Sequence, residues 1–325
     1  MHIIERLVLK QNTLHRLIPL IWGVVAGIFF ANSVLLPFAP LPLAFLALKY
    51  GRSVLLLVGI SIGTVLTLIV GPPHVIVMLC YGLGVGLVLS ETARLKLSLL
   101  TFLMVGVVST FVFLGIGFMA SYGADFFQSI PSLITEQIQQ LASTIKAHPE
   151  SYPQYFKNED VWNLFTNQPE TIAASVWRIL PGIIGGFALL LSWGSILLFK
   201  YGNASELRLL SPPSLNEWST PGWFVWATVL GLVATVWGSG NFQIIGITIL
   251  IIIATGYLVH GLAILNYWFT IRKIGSWVKV LLYGMVFIFF YPLAGVFVLL
   301  GVLDPLFHFR SRLNPPGEQR EGGMS

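Results

Sequence analysis

Long apolar runs, separated by short polar or basic segments, dominate this chain. A helix that crosses about 30 Å of hydrocarbon needs about 20 mainly apolar residues. The pattern predicts nine hydrophobic segments, three of them short, at residues 17–37, 38–50, 53–71, 75–90, 98–121, 172–199, 222–238, 244–269 and 278–303.

The first run resembles a signal peptide because basic residues precede it. It is longer than a typical signal-peptide core, and no clear cleavage pattern follows it. We therefore interpret 17–37 as a retained membrane helix that follows a cytoplasmic tail, residues 1–16.

The basic residues between the runs test this topology. If every run crosses the membrane, five basic clusters fall on one side, which the positive-inside rule makes cytoplasmic. They are Arg6, Lys10 and Arg16; Lys49 and Arg52; Arg94 and Lys96; Lys200 and Arg208; and Arg272, Lys273 and Lys279.

Two runs have unusual lengths. Residues 38–50 begin at a proline-rich loop and reach only about 20 Å as a helix, so we expect them to pack against neighbouring helices or to thin the bilayer. Residues 278–303 contain Pro292 near their middle. They form either one long kinked helix or a hairpin that turns near Tyr291-Pro292, and the two alternatives place the basic tail on opposite sides.

The segment 122–171 is the longest polar stretch between runs. Isoleucine and leucine recur in it at helical spacing, which predicts an amphipathic helix with Ser129 as its N-cap and His148-Pro149 at its end. Its apolar positions are Ile130, Ile134, Ile138, Leu141 and Ile145. The helix is either a lid or partner surface over the outer face, or a helix lying in the headgroup layer.

Composition supports the bilayer as the main solvent. Hydrophobic residues make up 56% of the chain and charged residues 10%, against about 25% charged in an average soluble domain. The mean hydropathy is +0.83. These values exclude a soluble enzyme, a disordered protein and a disulfide scaffold. Cys80 is the only cysteine, so an intrachain disulfide cannot form.

No motif for a known chemistry stands out. The sequence contains no P-loop and no H-E-x-x-H, and its six histidines do not cluster. We therefore expect no enzymatic activity, no cofactor and no metal. The positive net charge of +5 comes from the clusters between runs, so we also expect no binding to nucleic acid.

Small and polar residues inside the runs are the candidate site residues. The glycines Gly59 and Gly63, and those at 82, 84 and 86, favour close helix packing over a substrate path. His260 and Asn266 lie in one apolar run, where a histidine is either functional or hydrogen-bonded to a neighbouring helix. Arg178, next to Trp177, could meet an anionic ligand, pair with an acidic residue or reach the headgroups.

Four groups of residues resemble the YybS-like family of bacterial integral membrane proteins, which carry a domain of unknown function. They are 177–181, 221–223, 261–266 and 301–310. The family more often ends its motif with Trp-Phe-Asp-Phe-Arg, where this chain has Leu306-Phe307-His308-Phe309-Arg310. The resemblance implies a partner contact at Asp304, Phe307, Phe309 and Arg310. Asp304 closes the last run, where it could alternatively pair with Arg310 or act as a cap beside a basic anchor.

The first six runs are also similar to the substrate-binding S subunits of energy-coupling-factor vitamin transporters. Those proteins have six helices, with a short second helix entered through a proline-rich loop. Here Pro40-Leu41-Pro42 leads into such a segment. This is a likeness of fold, which says little about function.

These observations predict an all-α, polytopic membrane protein with about 8–10 transmembrane segments and a cytoplasmic N-terminus. Its parts are a tail (1–16), five helices (17–121), an outer segment (122–171), four helices (172–303) and a basic tail (304–325).

We expect a substrate-binding or transport-related protein of the bacterial plasma membrane. Its site would be built from the 38–42 loop, the ends of the fourth to sixth helices, the 122–171 cover, Trp177, Arg178, His260 and Asn266. The lipid bilayer is its environment, and a separate ATPase would supply any energy. The alternative is a non-transporting scaffold of the cell envelope, and an intramembrane enzyme comes third.

Overall fold

The structure is a computed structural model that describes residues 21–30, 35–95, 97–148, 159–201, 219–288, 290–307 and 309. The described residues form helices and turns, with no strand among them. The prediction of an all-α polytopic fold is confirmed. The chain divides into two compact units, Met1–Leu210 (unit 1) and Ser211–Ser325 (unit 2).

In unit 1 the described residues form eight α-helices and one 3-10 turn, Leu36–Phe38. The helices are α1 (Ile21–Phe30), α2 (Pro40–Tyr50), α3 (Arg52–Val70), α4 (Pro72–Arg94), α5 (Leu99–Tyr122), α6 (Phe126–Ala147), α7 (Glu159–Asn167) and α8 (Pro169–Tyr201). Unit 2 contains α9 (Trp223–Trp237), α10 (Asn241–Ile271), α11 (Ser276–Ile288) and α12 (Phe290–Phe307).

Nearly every predicted run corresponds to one helix. Within the described part of the chain, five helices are long and apolar enough to cross a membrane: α3, α4, α5, α8 and α10. Four shorter apolar helices lie in the remaining runs. The tail 1–16 and the basic residues at 310, 312 and 320 lie outside the described residues.

The short helix α2 lies in the core of unit 1. Eight of its eleven residues are buried, including Leu43, Phe45 and Leu46. The turn before it is held by Tyr81 of α4, whose hydroxyl donates to the Pro37 carbonyl. The prediction that this run packs against its neighbours is confirmed. Residues 38–42, predicted as an open loop of the site, are instead a 3-10 turn and the buried start of α2, because their apolar side chains fill the core.

Glycine packing between α3 and α4 is also confirmed. A Cβ at Gly59 or at Gly63 would collide with the side chain of Leu83 or of Leu79, respectively. Leucine knobs from α4 therefore occupy the gaps that the two glycines leave on α3, which lets the helices approach closely.

An ion-pair network joins the ends of α2, α3 and α4. Arg52 donates to both carboxylate oxygens of Glu91, at 2.8 and 2.6 Å. Arg94 donates to Glu91 at 3.1 Å and to the Ala47 carbonyl at 2.6 Å. These bonds place the described basic residues of the 49–52 and 94–96 clusters at the same end of unit 1, as the predicted topology requires.

In unit 2, α10 is the long central helix, and α9 and α12 both run antiparallel to it. Gly246 of α10 faces Thr235 and Gly256 faces Phe224 of α9. Further along α10, Gly261 faces the Phe297 backbone, and Tyr257 faces Gly301 of α12. The order of the facing residues reverses between the helices, which defines the antiparallel direction.

The last predicted run, 278–303, is described as two helical stretches, α11 up to Ile288 and α12 from Phe290. The Ile274 N–H bonds the Phe269 carbonyl at 3.0 Å, so α11 starts close to the end of α10. Because α12 runs antiparallel to α10, its first residues lie near that same end. Of the two alternatives for this run, a hairpin that turns at Tyr291-Pro292 is not observed, because both residues lie within α12.

Candidate functional site

The segment predicted to cover one face of the protein folds as α6 and α7. Gly123, with φ of 82°, ends α5 and turns the chain. Phe126 then stacks on Phe118 and Tyr122, with ring centroids 4.8 and 4.9 Å apart. This stacking starts α6 at Phe126, after Asp125.

The predicted N-cap is therefore wrong. Ser129 lies inside the first turn of α6, where its hydroxyl bonds the Phe126 carbonyl at 2.8 Å. The predicted end of the helix is confirmed, because α6 stops at Ala147 and His148 caps it.

The apolar face of α6 is directed at the protein. Ile138, Ala142 and Ile145 are buried, and α6 packs along the first turns of α8, where Ala173 is also buried. Packing of this kind favours a lid over a helix that lies loosely in the headgroup layer, because the apolar side chains meet protein atoms.

Beneath this lid lies a cavity of about 980 Å³, which we call the α5–α8 cavity. Helix α5 contributes Phe111, Leu114, Gly115 and Phe118, and α7 contributes Phe165. Helix α8 contributes Ile172, Val176, Trp177, Leu180, Pro181 and Ile184. The remaining lining residues come from α6 and include four of the five predicted apolar positions: Ile130, Ile134, Ile138 and Leu141.

The lining is almost entirely apolar. Gln137 is the one lining residue with an amide side chain, and it is exposed to solvent. Trp177 is half-buried and adds an indole N–H. A cavity of this size is at the upper end of small-molecule sites, and its walls offer dispersion and hydrophobic contact rather than charge.

The structure gathers only some of the predicted site residues. Trp177 lines the cavity, but Arg178 is exposed and does not line it. Residues 38–42 and α4 do not line it either. His260 and Asn266 belong to α10 in unit 2. The sequence did not predict that apolar residues of α5 line a cavity. In a membrane helix, the same apolar residues can form a cavity wall or face lipid, and the sequence does not distinguish the two.

In unit 2, His260 is hydrogen-bonded to Asp304, for which the sequence predicted a different role. Its Nε2 lies 3.0 Å from Oδ2 of Asp304, and both side chains are largely buried. Asp304 does not end α12, since the helix continues to Phe307. The suggested partner Arg310 lies outside the described residues. Phe307 and Phe309 stack on each other with centroids 5.7 Å apart, and their role as a partner contact stays a prediction.

The described side chains contain no candidate metal centre. Within the described ranges, no three His, Cys, Asp or Glu side chains come together in a way that could hold a metal ion. The arrangement in unit 1 therefore points to binding of an apolar molecule, and the arrangement in unit 2 to a polar pair between two helices.

Comparison with known proteins gives one match. A family model described as "Predicted membrane protein (DUF2232)" matches residues 19–305, which is most of the chain. No curated protein and no solved structure matches the sequence.

Proposed function

The chain belongs to the DUF2232 family of predicted membrane proteins, and on that premise we propose that it binds an amphiphilic, mainly apolar substrate in the α5–α8 cavity. In this proposal it is a substrate-binding or transport-related protein of a bacterial plasma membrane. Its N-terminus is cytoplasmic, and the α6–α7 lid covers the outer face.

The apolar lining of a cavity of about 980 Å³ supports this proposal more than any other observation. A highly polar ligand would lose its hydration there without gaining hydrogen bonds, which costs several kcal/mol per group. An alkyl chain would instead gain about 0.8 kcal/mol for each buried CH₂. The apolar lining therefore favours lipid-like ligands over strongly polar ones.

The polar end of such a ligand has a place at the cavity rim. Gln137 is exposed and can donate or accept hydrogen bonds, while Trp177 can donate one. The lining of the cavity carries no charged side chain, so a neutral or weakly polar head fits it better than a strongly charged one.

Other parts of the proposal rest on the sequence. The chain carries no P-loop, so active transport would need a separate ATPase or another envelope partner. We propose no catalytic centre and no contact with nucleic acid. The likeness to the YybS-like family and to the S subunits of energy-coupling-factor transporters fits this role.

A large side chain at Gly115 would enter the cavity without disturbing the fold, which provides a test of the proposal. A Cβ at this position would meet no heavy atom within 4 Å, and the residue lines the cavity. Gly115→Phe should therefore occupy the space that a ligand needs. Gly295→Phe is the matched control, because Gly295 also lies within a helix beside open space but belongs to α12 in unit 2.

The probe is a long-chain fatty alcohol that carries a photoreactive diazirine, added in trace amounts to the protein in lipid nanodiscs. We expect labels on cavity residues such as Phe118 and Ile134, as well as on exposed apolar residues such as Leu57. Excess unlabelled fatty alcohol should suppress the cavity labels alone. Gly115→Phe should abolish them and Gly295→Phe should keep them. Cavity labels that are absent from the wild type, or that survive in Gly115→Phe, would overturn the proposal.

A further inference from the structure

The buried pair in unit 2 has an unusual chemical setting. Asp304 is the only acidic residue between positions 219 and 309. It lies on α12, against α10, and its side chain is 13% exposed. Its second oxygen, Oδ1, is buried and has no hydrogen-bond partner among the described residues. The described hydrogen-bond partner of this side chain is the His260 ring.

The pair also lies deep. Gly301 of α12 faces Tyr257, which is near the middle of the 31-residue α10. Asp304 is one helical turn further along α12. At 1.5 Å per residue, each end of α10 is about 20 Å away from the level of Tyr257. Ionisable groups at the centre of a membrane helix are expensive, and they occur mostly where function requires them.

Among the described residues, the helices of unit 2 carry few further titratable groups. Helix α10 otherwise carries the titratable residues Tyr257 and Tyr267, and α9 carries none. Helix α12 adds Tyr291, and α11 adds Lys279 and Tyr283. Arg272 and Lys273 follow the end of α10, twelve and thirteen residues beyond His260, or about 18 Å away along the helix axis.

We propose that His260 and Asp304 form a proton-binding site inside unit 2. One exchangeable proton lies between Nε2 and Oδ2: when Nε2 carries it, the N–H donates to the carboxylate, and when Oδ2 carries it, the O–H donates to the ring. With one proton beyond neutral histidine and charged aspartate, the pair has no net charge. Release of that proton to water leaves one buried negative charge between α10 and α12.

The close helix contact ties this proton to the packing of α12. Gly261, next to His260, and Gly301, one turn before Asp304, let the backbones of the two helices approach closely beside the pair. A net negative charge there needs water, and water enters only if the helices separate. Proton release should therefore loosen α12 from α10. This inference is independent of the proposed ligand in unit 1.

The test follows both members of the pair in the full chain in nanodiscs. Histidine labelled with ¹⁵N reports the protonation of each ring, and His260→Gln assigns the signal of interest. Infrared difference spectra between two pH values report the aspartic acid carbonyl, which Asp304→Asn removes. His148→Gln is the control, because His148 is exposed at the end of α6.

We expect the His260 ring signal and the Asp304 carbonyl band to change in the same pH interval in the wild type. Asp304→Asn should move the interval in which His260 responds, and His148→Gln should leave it unchanged. If Asp304→Asn does not fold, the two wild-type signals still decide the matter. The proposal is wrong if neither group changes its protonation while the protein stays folded, or if His260 responds identically in Asp304→Asn.

Discussion

The contact between α10 and α12 makes Gly261 an informative position. An alanine Cβ there would overlap the Phe297 backbone: its three nearest atoms are the carbonyl oxygen, the carbonyl carbon and the Cα of Phe297, and even the Cα would be only 2.9 Å away. Backbone atoms cannot rotate aside as a side chain does. Gly261→Ala must therefore push α12 away from α10.

Three contributions set the size of the effect. Replacing glycine by alanine within a helix favours folding by about 1 kcal/mol. Overpacking a tight contact costs about 1–3 kcal/mol. Displacing α12 also weakens the His260–Asp304 hydrogen bond, at about 1 kcal/mol. The sum is a net destabilisation of about 1–3 kcal/mol.

Thermal unfolding in one detergent, followed by tryptophan fluorescence, measures the change. Gly295→Ala is the control, because a Cβ at Gly295 meets open space and the same replacement should stabilise by up to about 1 kcal/mol. The expected order of midpoints is Gly295→Ala, wild type, then Gly261→Ala. A Gly261→Ala protein that unfolds at or above the wild-type midpoint would refute the close backbone contact.

Two further predictions concern unit 1. Ile145→Ala removes a side chain that is 1% exposed between α6 and its support, so it should destabilise the lid by about 2–5 kcal/mol and speed proteolysis within 122–171. Leu141→Ala, at a position 48% exposed, should do much less, and equal cleavage of the two variants would contradict the packing. Arg94→Lys keeps the charge but loses the fork that joins Glu91 to the Ala47 carbonyl. It should lower stability by about 1 kcal/mol, whereas a variant as stable as the wild type would show that charge alone suffices.

The helices were predictable because apolar length is a local property. The run at 172–199 was enough to place most of α8, and the buried state of α2 followed from its being too short to cross alone. The glycines of α3 also predicted its close contact with a neighbouring helix, because small residues are favoured where membrane helices touch.

The features that escaped prediction depend on residues far apart in sequence. Ser129 has the chemistry of an N-cap, but stacking of Phe126 on Phe118 and Tyr122 starts the helix earlier. Asp304 has a basic residue nearby in sequence, yet it bonds a histidine 44 positions away.

The position of α2 has a consequence for how the protein is made. With 11 residues it reaches about 17 Å, which is too little for the insertion machinery to release it sideways into lipid by itself. It packs against α1, but its contacts with α3, α4 and α8 form only when later parts of the chain have emerged from the ribosome. Biogenesis of unit 1 therefore depends on delayed insertion. We expect α2 to enter the membrane together with α3 and α4, against which it packs.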